Sequence, residues 1–130
     1  RLGGVFHAGV EVVGLEWSFG YAERGSGVSA TLPRKHPLHR YKETVEMPRA
    51  HLSKEQVLRV VRAMVEDYPG CGYDVLGRNC CSFADELCHR LGVGEIPGWV
   101  HRFAQIGHSL ASVLEQLEIN VNCLASPLSH

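Results

Sequence analysis

Residues 5–13 alternate between apolar and small or polar side chains, the pattern of a strand with one buried face. The positions predicted to face the core are the even-numbered ones, Phe6, Ala8, Val10 and Val12. His7 belongs to the opposite face, with Gly9 two residues further on. An aromatic-rich segment follows Gly14 and ends at Gly20, so the pattern predicts a β-hairpin that turns near Gly14.

Residues 21–39 have the composition of a loop, because glycines and prolines recur there beside a basic cluster at residues 34–40. The simplest interpretation of that cluster is a solvated surface. Residues 41–47 alternate again, which predicts a third strand ended by Pro48.

Two helices have clear start signals. Ser53 and Gln56 form a capping box, and apolar residues then recur at three- and four-residue steps up to Tyr68. Asn79 is a natural N-cap for a second helix, which would run from Cys80 to Leu91 and stop at Gly92.

A last helical region is predicted for residues 99–117, with a break at Gly107. Its predicted buried positions are Val100, Phe103, Ala104, Leu110, Leu114 and Leu117. Residues 119–130 show no helical periodicity and are interpreted as a C-terminal tail.

The composition describes one globular domain, with 130 residues, 45% of them hydrophobic and 21% charged. No apolar run reaches the roughly 18 residues that a membrane span needs. The net charge of -1 gives no general attraction to nucleic acid. Five cysteines, an odd number, and no recognisable signal peptide favour a reducing intracellular compartment, the cytoplasm or the nucleus.

Cys80 carries the most informative chemistry, because it directly follows the N-cap of a helix. The first turn of a helix offers unpaired N–H groups and a partial positive charge, which favour a thiolate. The same N–H groups, that of Cys80 included, could bind the oxyanion of a tetrahedral intermediate, with Asn79 supporting the turn. A buried structural cysteine is the alternative.

A thiolate nucleophile needs a histidine to exchange protons with it. His89 lies on the same helix, about 13 Å along the axis, which is too far for a base. His7 lies on a strand beside a glycine, although a strand histidine is also an ordinary structural residue. Glu11 lies about 13 Å along that strand, too far to orient His7, and Ser18 stays an open alternative.

Metal binding is the competing chemistry, since Cys80, Cys81, Cys88 and His89 lie close in sequence. They have no paired Cys-x-x-Cys spacing, and neighbouring helical residues point about 100 degrees apart. We therefore predict no metal and no cofactor.

Several spaced motifs occur in a definite order between residues 3 and 107. They are His7-Ala8-Gly9-Val10-Glu11-Val12, Trp17-Ser18-Phe19-Gly20, Tyr73 with Leu76, Arg78-Asn79-Cys80 with Phe83, Asp85-Glu86-Leu87, and Ile96-Pro97-Gly98-Trp99. This order resembles the PPPDE family, the permuted papain-fold peptidases also called DeSI-like isopeptidases. The resemblance implies an α+β papain-like domain over residues 1–118, with a small antiparallel sheet packed against helices.

The resemblance also implies that His7 and Cys80 are the catalytic pair. Cys81 stands where the family usually has asparagine, so it is the competing nucleophile. The strand that normally opens the family domain would precede Leu2 and is not in this sequence, which predicts a fragment or a divergent member with an open sheet edge.

The activity implied by the resemblance is that of a cysteine isopeptidase, which removes ubiquitin or a ubiquitin-like modifier such as SUMO from proteins. The partners would be such conjugates. Two alternatives are an S-acyl thioesterase that uses the same two residues and a non-catalytic module that binds ubiquitin-like proteins.

Overall fold

The structure is a computed structural model that describes residues 6–35, 40–74, 77–102 and 117–124. Its strands are β1 (Phe6–Val12), β2 (Leu15–Phe19), β3 (Val28–Thr31), β4 (Arg40–Glu46) and β5 (Leu117–Asn122). Its helices are α1 (Lys54–Asp67) and α2 (Cys80–Arg90), with a short 3-10 turn at Gly70–Gly72. Residues 98–102 are also helical.

The five strands form one mixed sheet in the order β3-β2-β1-β5-β4. β1 pairs antiparallel with β2, and β2 pairs antiparallel with β3. β5 is parallel to both of its neighbours, β1 and β4. The α+β class is therefore confirmed, but the expectation of an antiparallel sheet is wrong for the half of the sheet that contains β5.

The predicted hairpin is present, with Val12 paired to Leu15 across a two-residue turn. Val13 and Gly14 both have positive φ angles, 49° and 83°, as the tight turn that joins twisted strands requires. Ala8, Val10 and Val12 are fully or almost fully buried, which confirms the face assigned to them.

The predicted tail is wrong at its start, because residues 117–122 form β5, an interior strand that lies between β1 and β4. Ile119, Val121 and Cys123 are buried, and Asn120 is buried on the other face. This alternation has the period of a strand, but its partners lie more than a hundred residues away in the sequence, at β1. Leu117 accordingly begins β5 and does not end a helix.

Three further predictions about the connections have mixed outcomes. The segment interpreted as a loop over residues 21–39 contains the short edge strand β3. Within the last predicted helix, Val100 is buried and residues 98–102 are helical, whereas residues 103–116 lie outside the described part. β1 has a partner strand on both sides, so the expected open edge is not at β1.

The predicted capping box of α1 and the predicted Asn79 N-cap of α2 are both confirmed, and the α2 cap is also a capping box, completed by Ser82. Ser53 Oγ accepts from the N–H of Gln56, whose side chain accepts from the N–H of Ser53. The buried face of α1 comprises Val57, Val61 and Met64. α2 packs on β1 and β2 and buries Phe83, Ala84, Leu87 and Cys88 against the sheet. Within the described ranges, no helix is both long and apolar enough to cross a membrane.

Candidate active site

Asn79 anchors the start of α2, close to the middle of the sheet. Its side-chain oxygen accepts from the N–H groups of Cys81 and Ser82, both at 3.0 Å. The Ser82 hydroxyl in turn accepts from the N–H of Asn79 at 2.7 Å. These bonds satisfy two donors that a helix otherwise leaves unpaired, so the first turn is held rigidly.

Cys80 follows this cap and is only 4% exposed. Four hydrogen-bonding groups favour the thiolate form of its sulfur: the Cys81 thiol, the N–H of Ala8, the Tyr73 hydroxyl and its own N–H. Together these donors lower the pKa of the Cys80 thiol below its ordinary value, with the Cys81 thiol as the largest cause, against the opposing effect of burial.

Cys81 shows the opposite behaviour, although it is the adjacent residue. Its own proton is donated to the Cys80 sulfur, and that bond together with burial raises the pKa of the Cys81 thiol. The two thiols therefore divide their roles: Cys80 is the better thiolate, and Cys81 keeps its proton as a donor. The Cys81 thiol thus supplies the contact at the position after Cys80, where the family resemblance led us to expect asparagine.

His7 lies on β1 at the same end of the sheet and is 7% exposed. The hairpin geometry directs the N–H groups of Val12, Val10 and Ala8 toward β2. The pairing of β1 with β2 ends at Val10 and Trp17. The N–H of Ala8 therefore has no partner on β2, and the Cys80 sulfur is its partner instead. The peptide unit that joins His7 to Ala8 thus touches the candidate nucleophile. His89, by contrast, is exposed near the far end of α2.

Tyr73 is a site residue to which sequence reasoning assigned no role. Its ring packs on Phe19, with the centroids 5.1 Å apart, inside a cluster that also contains Tyr68 and Phe83. Its hydroxyl interacts with the thiol and the N–H of Cys80. Burial, followed by the negative charge on Cys80, raises the pKa of the Tyr73 hydroxyl.

Glu16 is a second residue that the pattern did not single out, although it interrupts an apolar strand. It is 1% exposed, and one carboxylate oxygen accepts from Asn120 Nδ2 at 2.7 Å and from the Arg34 N–H at 2.9 Å. Burial raises the pKa of this carboxyl above its ordinary 4.5. The space beside His7 that Gly9 provides is filled by Glu16, since a Cβ on Gly9 would lie 2.7 Å from Glu16 Cγ.

The other candidate groups lie elsewhere. The Arg34 guanidinium, from the predicted basic surface, pairs with Glu11 at 2.7 Å. Cys88 and Cys123 form a buried pair with their sulfurs 3.8 Å apart, and Cys71 is exposed. Among the described residues, no three metal-ligating side chains lie close enough together to hold a metal ion.

The sequence model described as "PPPDE putative peptidase domain" matches residues 1–119. The chain therefore belongs to the PPPDE family, a papain-like peptidase family. No solved structure matches the chain at a significant level.

Three curated relatives show similar degrees of identity. The chain is 30% identical over 112 residues to a desumoylating isopeptidase 1 homolog of Caenorhabditis elegans, covering 82% of this chain and 34% of that protein. It is 31% identical over 105 residues to a DeSI-like protein of Arabidopsis thaliana, covering 80% and 47%. A DeSI-like protein of Schizosaccharomyces pombe is 30% identical over 118 residues, covering 88% and 58%. The chain thus spans between a third and three fifths of these relatives' lengths.

Proposed function

We propose that this chain is a cysteine isopeptidase domain that releases a ubiquitin-like modifier, of the SUMO type, from the lysine side chains of target proteins. The observation that carries the proposal is the position of Cys80 in the first turn of α2, directly after the Asn79 cap, where a helix N-terminus favours the thiolate. The relatives supply the modifier class, since one is named a desumoylating isopeptidase homolog.

The reaction needs a nucleophile and a group that moves one proton. Cys80 gives its proton to the His7 ring, and the sulfur attacks the carbonyl carbon of the isopeptide bond. When the tetrahedral intermediate collapses, the C–N bond breaks and His7 returns the proton to the departing lysine amine. Water then attacks the thioester that remains on Cys80, and His7 accepts the proton of that water. The C–S bond breaks, the sulfur leaves as the Cys80 thiolate beside protonated His7, and the modifier departs with a free carboxylate.

The position of His7 supports its part in this scheme. The peptide unit between His7 and Ala8 already contacts the sulfur, and the ring is largely shielded from water. The exposed His89 lies on α2 itself and provides a matched control, because its loss removes an imidazole from the same helix without touching the sulfur.

The proposal is tested with SUMO and ubiquitin that carry a C-terminal electrophile, and with each modifier joined to a peptide lysine. We expect the SUMO probe to label the wild-type chain and Cys81→Ala, but not Cys80→Ala. His7→Ala should lose roughly 100-fold or more in isopeptide cleavage, whereas His89→Ala retains activity.

Three outcomes would contradict parts of this assignment. Labelling that survives Cys80→Ala and disappears in Cys81→Ala would move the nucleophile to Cys81. Cleavage of thioester-linked acyl chains with no isopeptide cleavage would identify an S-acyl thioesterase. Binding of SUMO or ubiquitin with neither labelling nor cleavage would identify a non-catalytic module.

A further inference from the structure

Glu16 and Asn120 are buried polar residues that lie on the same face of the sheet and bond to each other. Glu16 is 1% exposed, and Asn120 is fully buried. Asn120 Nδ2 donates to Glu16 Oε1 at 2.7 Å, and the Arg34 N–H donates to the same oxygen at 2.9 Å. Glu16 belongs to β2 and Asn120 to β5, so their bond passes over β1, the strand between them.

Each of these two side chains has a second oxygen that the bond does not use. Among the described residues, Glu16 Oε2 and Asn120 Oδ1 are buried and have no hydrogen-bond partner. Buried polar atoms without a partner are rare in folded proteins, because they have lost water and gained nothing in return. While Glu16 is ionised, both oxygens can only accept, so neither can satisfy the other.

One proton on Glu16 Oε2 would satisfy both oxygens. The 2.7 Å bond already places the carboxyl beside the Asn120 amide. A protonated Oε2 can donate to Asn120 Oδ1, which closes the pair of hydrogen bonds that a carboxylic acid and a primary amide can form. A bridging water has little room on the Gly9 side, since a Cβ added to Gly9 would lie 2.8 Å from Glu16 Cδ and closer still to Oε2.

We propose that the Glu16 carboxyl is protonated in the folded protein and donates from Oε2 to Asn120 Oδ1, so that a two-bond acid–amide pair joins β2 to β5 across β1. The strand beneath the pair carries His7, two residues from Gly9 on the same face. When the carboxyl ionises, its proton passes to water and Oε2 becomes a negative atom facing another acceptor. The acid–amide pair then opens, and the link between β2 and β5 weakens.

The charges around Glu16 favour a retained proton. Glu11 lies directly opposite Glu16 on β1, and the Arg34 guanidinium is already paired with Glu11 at 2.7 Å. The partner of Glu16 on β3 is uncharged. Of the other titratable side chains described on this face, a cationic His7 would favour the carboxylate, whereas Glu46 on β4 would favour the acid. Burial raises the pKa of Glu16 in the direction that the pair requires.

The protonation state can be read directly by NMR. In protein labelled with 13C-glutamate, the Cδ signal of Glu16 is followed from pH 4 to pH 9, and Glu16→Gln assigns it by its loss. We expect the Glu16 signal to titrate at a higher pH in the folded protein than in the same chain unfolded in concentrated urea. The side-chain N–H signals of Asn120 should shift with the same midpoint, because they report the pair.

Thermal denaturation of Glu16→Gln provides a second measurement, since a glutamine amide can form both hydrogen bonds that the acid forms. We expect this variant to melt within about 2 °C of wild type at pH 5 and above wild type at pH 8. Glu46→Gln is the matched control. Glu46 accepts the same kind of bond from Asn122 at 2.9 Å but is exposed, so its variant should show no gain at pH 8.

A Glu16 signal that titrates at or below the midpoint of the unfolded chain would overturn the proposal, as would Asn120 signals that do not follow it. A Glu16→Gln protein that melts well below wild type at pH 5 would show that the site needs a carboxylate. If Glu16→Gln does not fold, the Glu16 signal is assigned in the wild-type protein and its titration decides alone. These measurements do not use isopeptidase activity, so their outcome is independent of the function proposed above.

Discussion

Replacing Asn79 with alanine should both destabilise the protein and disturb Cys80, because Asn79 caps the helix that begins at Cys80. The substitution removes the oxygen that accepts from the Cys81 and Ser82 N–H groups at 3.0 Å. It also leaves the partly buried Ser82 hydroxyl with a less ordered partner.

The size of the effect follows from the cap. Replacing an N-cap asparagine with alanine costs about 0.5–2 kcal/mol, and two partly buried N–H groups place this case in the upper half of that range. For a chain of 130 residues, 1 kcal/mol corresponds to about 4 °C in Tm. We therefore expect Tm to fall by about 4–8 °C.

The assay is thermal denaturation followed by circular dichroism, paired with iodoacetamide alkylation of Cys80. Ser53→Ala is the matched control, because Ser53 caps α1 through the same kind of capping box and lies away from Cys80. Both variants should lose stability, but only Asn79→Ala should raise the pKa of the Cys80 thiol. Asn79→Asp should keep the cap and the stability, and its carboxylate should raise the thiol pKa as a neighbouring like charge.

Two results would refute this reasoning. An Asn79→Ala protein with wild-type Tm would show that the Asn79 side chain does not hold the first turn of α2. Equal shifts of the Cys80 pKa in Asn79→Ala and Ser53→Ala would show that general loosening of the fold, and not the local cap, controls the thiol.

Three further predictions concern the rest of the molecule. Gly9→Ala should destabilise the fold by about 1–3 kcal/mol, since its Cβ would overlap Glu16; urea denaturation should show partial recovery when Glu16→Ser is added, and no recovery would refute the overlap. Because burial raises the pKa of Glu16, the free energy of unfolding should fall as pH rises from about 4.5 through the pKa that Glu16 has in the folded protein. In Glu16→Gln this fall should be smaller. Wild-type and Glu16→Gln proteins that show the same change in unfolding free energy between pH 5 and pH 8 would exclude the effect. Native alkylation should modify the exposed Cys71 but reach the buried pair of Cys88 and Cys123 only on unfolding, as mass spectrometry would show; rapid native labelling of the pair would contradict its burial.

Local signals predicted the starts of α1 and α2 and the hairpin. The Ser53 and Asn79 caps carry their own chemistry within four residues, so both helix starts follow from the sequence. Gly14 likewise marks the turn, because the turn needs positive φ angles there. Each of these features depends on neighbours in the chain and not on the rest of the fold.

Features that depend on distant partners were harder to predict. β5 alternates correctly, but its two asparagines and its position near the end of the chain resembled a tail, and its neighbours are β1 and β4. β3 is a short, mostly polar edge strand inside a glycine-rich segment. At the site, the sequence indicated Cys80, but the contacts of its sulfur with Tyr73 and Ala8 depend on tertiary structure.

The position of β5 between β1 and β4 limits when the sheet can be completed during synthesis. A ribosome releases β1 first and β5 more than a hundred residues later, yet the two are direct neighbours in the finished sheet. Until residues 117–122 emerge, β1 and β4 each lack the strand that joins them, and loop closure over such a span is slow. The nascent chain therefore exposes one edge of the strand that carries His7 until synthesis has passed Asn122, and during that time the edge is open to chaperones or to pairing with another chain.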